Sequence, residues 1–449
     1  MQKKAIIVAV LLAAAFPAVA QTFQQALFLD GYRLAYRYNP ALQNEDSFLS
    51  VGQFVNQKYN NVGMANFFFP REGEVVTGLH SSVSADEFLT GLKKDNYTKG
   101  NINVNLASYG WRSGAAYHTV EANVRSQYSI GAPKSIFEFA KLGNTESTYD
   151  AGGIGIGENL YAELAYGYSY KLSDIVSVGA RAKLLLGFEA LNYRMSSLRM
   201  SLTEDQYKIN MSAELDLTSG WRQINAGENG YLNLLAISAR DRHRLPSGIG
   251  MALDFGVVVK PLEGLTLAAS ILDLGGMRWY YGNAGTSWNT ISFSGFDDLS
   301  VADIQNGGIK KQLDELKTDL IDGLKLSPAA KKSAWEKVPF NVNLAVKYEL
   351  PFYRQLAIGV TANHIGAQGR SYSEVRGVVG WNPVGWFGIT AGAGTGKLGP
   401  VWNIAANVAV SNFRLTLGLN DGFGGKKPYT SNPLWANYKV VTAGLTYDL

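Results

Sequence analysis

At 449 residues the chain is longer than an ordinary soluble domain and suits one large barrel. A formal charge of only +4 and the absence of Cys give no reason to expect nucleic acid, and exclude disulfides, thiolate metal sites and a lipidated N-terminal Cys. Hydrophobic residues make up 46%, yet past the signal-like start no apolar run reaches the roughly 20 residues of a spanning helix, so a membrane-spanning fold must be a closed β-barrel.

The chain opens on a secretory pattern. Lys3 and Lys4 form a positive region, Ala5 to Phe16 an apolar one, and Ala18-Val19-Ala20 a cleavage site before Gln21. Losing the two lysines lowers the formal charge from +4 to +2. The predicted location is the outer membrane of a Gram-negative bacterium. Residues 21–45 do not alternate. They run through Gly31-Tyr32-Arg33-Leu34-Ala35-Tyr36-Arg37-Tyr38 into Asn39-Pro40-Ala41. An irregular segment ahead of the first strand either hangs in the periplasm or plugs the lumen.

From residue 46 onward the chain reads as strands. Leu160, Ala162, Leu164, Tyr166, Tyr168 and Tyr170 alternate with a set that includes Glu163, Ser169 and Lys171. Phe340 to Leu350, Trp402 to Ser411 and Phe413 to Asn420 alternate in the same way. Period two over about ten residues is the pattern of a membrane strand, longer than the usual soluble one. Short turns lie at 110–113, 172–174, 261–264, 351–354, 383–385 and 411–412. Long connections lie at 57–97, 129–157, 191–247, 276–338 and 421–438, with shorter ones at 367–371 and 395–401. Placing every short turn at the periplasmic side predicts an all-β, transmembrane, antiparallel barrel of about fourteen strands, with both ends periplasmic. Residues 192–217 also alternate. They are placed in an extracellular extension; as two further barrel strands they would make sixteen.

Three helices are predicted in the loops. Ser84 caps one that runs through Leu92, with Asp86 and Glu87 in its first turn. Pro133 starts another to Leu142. Ile309, Leu313, Leu316, Leu320 and Leu324 form the stripe of a third. Phe67-Phe68-Phe69 in the first long loop are the candidate apolar contact for a ligand, against the plainer reading of a packed loop core. At the end of the chain, Thr442 to Leu449 resembles the signal by which the barrel-assembly machinery recognises outer-membrane proteins, with Gly444, Tyr447 and Leu449 at its marked positions. That machinery and outer-membrane lipid are the expected partners.

Chemistry-bearing motifs fail on context. Gly394 to Gly399 matches GxGxxG and contains Gly-Lys, but Leu398 replaces the Ser or Thr of a phosphate loop and Pro400 follows instead of a helix. Asp241-Arg242-His243-Arg244 reads as a solvated loop. The four His show no ligand spacing and no GxSxG elbow occurs, so no enzyme, metal or cofactor is expected.

An Asn-Pro-Ala turn, here Asn39, Pro40 and Ala41, ahead of the first of fourteen strands resembles the long-chain fatty-acid transporter superfamily of outer-membrane barrels. More narrowly, Asp30 to Glu45 and Pro133 to Phe139 resemble an uncharacterised Bacteroidetes-type outer-membrane family. The wider resemblance implies that Asn39, Pro40 and Ala41 belong to a hatch plugging the lumen, and that the barrel passes a hydrophobic or amphipathic small molecule. The alternative is a non-transporting barrel whose extracellular loops bind a partner or a secretion substrate.

Overall fold

Fourteen antiparallel strands close on themselves in the computed structural model. It describes residues 25–449 except 64–65, 72–73, 144–147, 203–206, 227–229, 244, 281, 294–324, 330–334, 367–370, 398 and 423–437. The strands are β1 (Phe48–Asn60), β2 (Asp95–Ser113), β3 (Ala116–Pro133), β4 (Ile154–Lys171) and β5 (Val176–Leu202). Then come β6 (Gly248–Leu262), β7 (Leu265–Trp279), β8 (Phe340–Leu350), β9 (Tyr353–Gly366) and β10 (Tyr372–Val384). The last four are β11 (Phe387–Gly396), β12 (Gly399–Val410), β13 (Phe413–Gly422) and β14 (Tyr438–Asp448). Each pairs with the next, and β1 pairs with β14, Phe48 opposite Asp448. Closure leaves no open edge in the ring, which lets the backbone sit in lipid.

Side-chain alternation decides the two faces. On β8, Asn341, Asn343, Ala345 and Lys347 are buried inside, while Leu344, Val346 and Tyr348 are exposed on the outer face. On β4, Tyr161, Glu163, Ala165 and Ser169 point in, and Leu164, Tyr166, Tyr168 and Tyr170 point out. Aromatics gather at the short-turn rim. Tyr109 stacks on Trp111, Trp111 stacks on His118, and Tyr168 stacks on Tyr170. Trp381, Trp386, Phe413 and Tyr447 continue the rim as exposed rings, the girdle that an interface between lipid and water favours.

The stretch 192–217 is an extension outside the ring, at the end with the long connections. β5 continues past the barrel to Leu202 and pairs there with Tyr207–Ser219, which pairs in turn with Asn283–Phe293. Its apolar core is Met195, Ala213, Leu215, Leu217, Ile224, Leu232 and Leu326. The long connections therefore carry pairing of their own, including a hairpin of Phe68–Arg71 and Glu74–Thr77. Among the described residues, two loop helices are present. In α1 (Ala85–Leu89), Ser84 accepts from Glu87 N. The helix stops short of Leu92, and Gly91 follows, a residue that weakens helix continuation. α2 (Lys134–Leu142) begins after Pro133 and ends at Gly143, whose φ is 72°. The predicted helix at 309–324 lies outside the described residues, as does the secretory segment.

Candidate functional site: the lumen and its N-terminal segment

Residues 25–46 enter the short-turn end of the barrel and fill it. Apart from a single 3-10 turn (Ala35–Arg37), the segment is irregular, so its backbone groups need partners elsewhere. The wall supplies many of them. Asn407 Nδ2 donates to Asp30 O at 3.1 Å, and Asn382 Nδ2 donates to Phe28 O at 3.1 Å. Ser270 Oγ donates to Tyr38 O at 2.7 Å and Asn343 Nδ2 to the same oxygen at 3.3 Å. Apolar side chains fill what remains: Phe28, Leu34, Tyr36, Tyr38 and Ala41 pack with inward Val258, Ala268, Ala345, Ala357, Val378 and Ala405. Burial pushes the hydroxyls of Tyr32, Tyr36 and Tyr38 above their ordinary value of 10.0, so they stay protonated.

The Asn39-Pro40-Ala41 turn is seated in the wall. Asn39 Oδ1 accepts from Ala41 N at 2.9 Å, and its Nδ2 donates to Val257 O and Ala269 O, both at 3.0 Å. One side chain thus closes the turn and pins it to β6 and β7. The fit requires wall residues without Cβ. A Cβ on Gly256 would lie 2.1 Å from Asn39 Oδ1, and one on Gly179 would lie 2.2 Å from Pro40 O. At the rim, Arg33 holds Asp448 at 2.7 Å and Asp46 at 2.9 Å.

Above this turn lies an ionic layer. Glu121 (β3), Glu163 (β4), Asp254 (β6) and Asp273 (β7) face Arg125 (β3), Arg181 and Lys183 (β5), with Arg37 from the N-terminal segment. Arg125 Nη1 donates to Glu163 Oε2 at 2.6 Å and to Asp273 Oδ1 at 2.9 Å, and Nη2 donates to Asp273 Oδ2 at 3.0 Å. Lys183 Nζ bridges Asp254 at 2.7 Å and Asp273 at 2.6 Å. Arg181 binds Asp254 at 3.0 Å and also Glu121. Tyr36 OH donates to Glu121 Oε2 at 2.8 Å. Asp273 takes φ 62°, rare for a residue other than Gly, at an irregularity in the β6–β7 pairing. A local bulge of this kind re-aims a side chain; here Asp273 turns inward between Arg125 and Lys183. Buried charges persist only when paired and hydrogen-bonded.

Further from the short turns, β4–β7 turn apolar. Tyr161, Leu185, Ala252, Met277 and Trp279 form a buried cluster directly beyond the ions. Across the lumen, β9–β12 present mostly uncharged groups beside one buried ion pair, Arg376 with Glu374. Thr361 Oγ1, Thr390 Oγ1 and both side-chain atoms of Asn403 are buried without a hydrogen-bond partner among the described residues. Arg376 there uses one nitrogen on Glu374 at 2.8 Å.

The remaining predicted positions lie apart from the lumen. Phe69 is buried against Phe88, and Phe67 packs on Phe88 and Phe137, holding α1 on α2 in a loop core at the long-connection end. Gly444 faces Gln53 inside, while Tyr447 and Leu449 lie on the outer face, with Tyr447 against Phe413 at 5.0 Å. Asp241, Arg242 and His243 are exposed. Sequence reasoning missed the ionic layer. The signal was available, because a charge within an alternating membrane strand must take the inward parity.

Comparisons with known proteins give one family match. The sequence profile of a family described as a family of unknown function (DUF5723) matches residues 40–417. No curated protein matches the chain. Among solved structures, the chain is similar to the Ralstonia pickettii toluene transporter TbuX at 10% identity and a TM-score of 0.45, over 96% of this chain and 95% of that one. It is similar to the P. putida toluene transporter TodX at 8% identity and a TM-score of 0.41, over 96% of each chain. A Pseudomonas aeruginosa FadL homologue is similar at 13% identity and a TM-score of 0.41, over 97% of this chain and 99% of that one.

Proposed function

The chain belongs to the DUF5723 family of unknown function, and we propose that it works as a gated passage of the outer membrane for an amphipathic small molecule, with residues 21–45 as its hatch. On this reading Met1 to Ala20 direct export and are removed. The observation that carries the proposal is the stacking inside the lumen. The apolar cluster of Tyr161, Leu185, Met277 and Trp279 sits against the ionic layer on the same strands, and the hatch closes the barrel below both. A molecule with an apolar body and a polar end finds a matching surface for each part. A purely apolar one has to cross groups that are strongly disfavoured when left unpaired. The hatch is fastened by hydrogen bonds and ion pairs, which water can replace as it moves, and by apolar packing on the wall. Ligand contact with Phe67 or Phe69 would first require opening their loop core, whereas Phe68 is half-buried outside it.

Planar-bilayer recording tests the gate. The intact protein is expected to conduct little, and removal of residues 25–45 to raise conductance many-fold. Equal conductance with and without the hatch would sink the reading. Liposome uptake of an amphipathic dye, set against a neutral sugar, then tests the class of solute.

A second reading is favoured by the extension. Trp288 is 80% exposed on its strand Asn283–Phe293, on a sheet raised above the barrel. A non-transporting barrel that binds a partner through this sheet predicts specific crosslinking on cells, lost in W288A, with no solute uptake.

A further inference from the structure

Arg37 fills a receptor whose shape and charge belong to the wall. Its Nε donates to Glu121 Oε2 at 2.9 Å, its Nη1 to Gln53 Oε1 at 2.7 Å, and its Nη2 to Asn123 Oδ1. Three nitrogens thus meet three oxygens on three different side chains of β1 and β3. The acceptors are held from behind. Asn123 Nδ2 donates to Glu121 Oε1 and to Glu163 Oε1, both at 3.1 Å, and Asn105 Nδ2 donates to Asn123 Oδ1 at 2.9 Å. Arg181 binds the other oxygen of Glu121. Such an arrangement suits a planar fork of N–H donors better than a single ammonium point charge.

The charge balance points the same way. The wall contributes four carboxylates, Glu121, Glu163, Asp254 and Asp273, but only three cations, Arg125, Arg181 and Lys183. Arg37 is the fourth, and it belongs to the hatch. When the hatch withdraws, the wall cluster carries one excess negative charge, which favours a cation in its place.

A third observation is independent of Arg37. A cavity of about 30 Å³ lies beside its guanidinium, lined by Asn103, Glu121, Lys183, Asp273 and Asn341 among others. Asn103 Oδ1, both side-chain atoms of Asn341 and Arg181 Nε, all from residues lining it, are buried without a hydrogen-bond partner among the described residues. Room for a water or two, ringed by unused polar groups, is space for the rest of a polar headgroup.

We propose that this cradle is a binding site for a monocation of the guanidinium class, carried by a molecule in the lumen, and that Arg37 occupies it in the closed state. Ligand and Arg37 compete for the same three oxygens, so occupancy by one excludes the other and ligand binding favours withdrawal of the hatch. The inference deepens the passage reading by naming the polar end of the solute, and rests on it for the statement that Arg37 leaves.

The test uses purified full-length protein and methylguanidinium as probe. R37A is expected to melt several degrees below the wild type. Methylguanidinium at ~1–10 mM, the range of a weak single-site ligand, is expected to restore at least half of that loss. Tetramethylammonium and potassium at equal ionic strength are expected to restore none, and R37A/E121Q, without the excess charge, to gain nothing from methylguanidinium. Should R37A fail to fold, R37Q serves, because it keeps a polar side chain while removing the cation; methylguanidinium is then expected to raise its Tm by a smaller amount. Equal shifts with all three cations, or none with methylguanidinium, overturn the proposal. Melting of the purified barrel does not depend on passage. Rescue without liposome uptake would remove the transport reading and keep the receptor.

Discussion

On the β3–β7 side of the lumen, four carboxylates and four cations interlock through short hydrogen bonds. On the β9–β12 side, Thr361, Thr390 and Asn403 face the same lumen with side-chain atoms that meet no partner among the described residues. Both sides are buried, and both are polar. The difference is in what each can lose. A buried ion network is stable only when complete, because removing one member strands a charge in a low dielectric. Uncharged groups that already lack partners have little left to lose, and water or a passing solute can serve them. The densely charged side therefore specifies where the N-terminal segment sits, while the opposite side, with the single Arg376–Glu374 pair, leaves a more tolerant surface beside it.

The sharpest way to break this contrast is at Glu121, which serves Tyr36, Arg37 and Arg181 at once. E121A strands two guanidinium groups and is expected to cost about 3–5 kcal/mol, as for breaking a buried pair. Urea unfolding in detergent measures it; a loss under about 1 kcal/mol would mean that the layer is hydrated and the contrast false.

The seat of the N-terminal segment comes next. G256L places a side chain where Asn39 Oδ1 lies. It is expected to cost about 1–3 kcal/mol, the usual range for overpacking, and to speed tryptic cleavage after Arg33 and Arg37. An unchanged cleavage rate would show that the turn is not what seats the segment.

The smallest effect belongs to the neutral side. T361V removes a buried hydroxyl without a partner, so stability is expected to change by less than about 1 kcal/mol, with either no loss or a slight gain. A loss comparable to that of E121A would erase the difference between the two sides.

Much of the barrel was legible before any coordinates. The alternation at Leu344, Val346 and Tyr348 against Asn343, Ala345 and Lys347 reappears as outer and inner faces. Period two leaves no freedom once one side chain is assigned to lipid. The order of short and long connections yielded the strand count, and residues 192–217 stand outside the ring, where their position in a long connection put them. The ionic layer was only half legible. Parity places Glu121, Arg125, Glu163, Arg181 and Lys183 inside, but it cannot say who meets whom. Glu121 and Arg181 lie on β3 and β5, with β4 between them, and their contact passes over Gly167, whose missing side chain makes the room. Arg125 and Asp273 meet from β3 and β7, and only a bulge turns Asp273 inward.

The sequence by itself determined a strand-built membrane wall, its two faces and the existence of an irregular segment before it, because these follow from local period and from what lipid permits. Only the tertiary structure decided that this segment enters the lumen, that Asn39 is pinned to β6 and β7, and that Arg37 completes a charge cluster assembled from five strands. Those contacts join residues far apart in the chain, and closure and strand registry, which no local pattern encodes, bring them together.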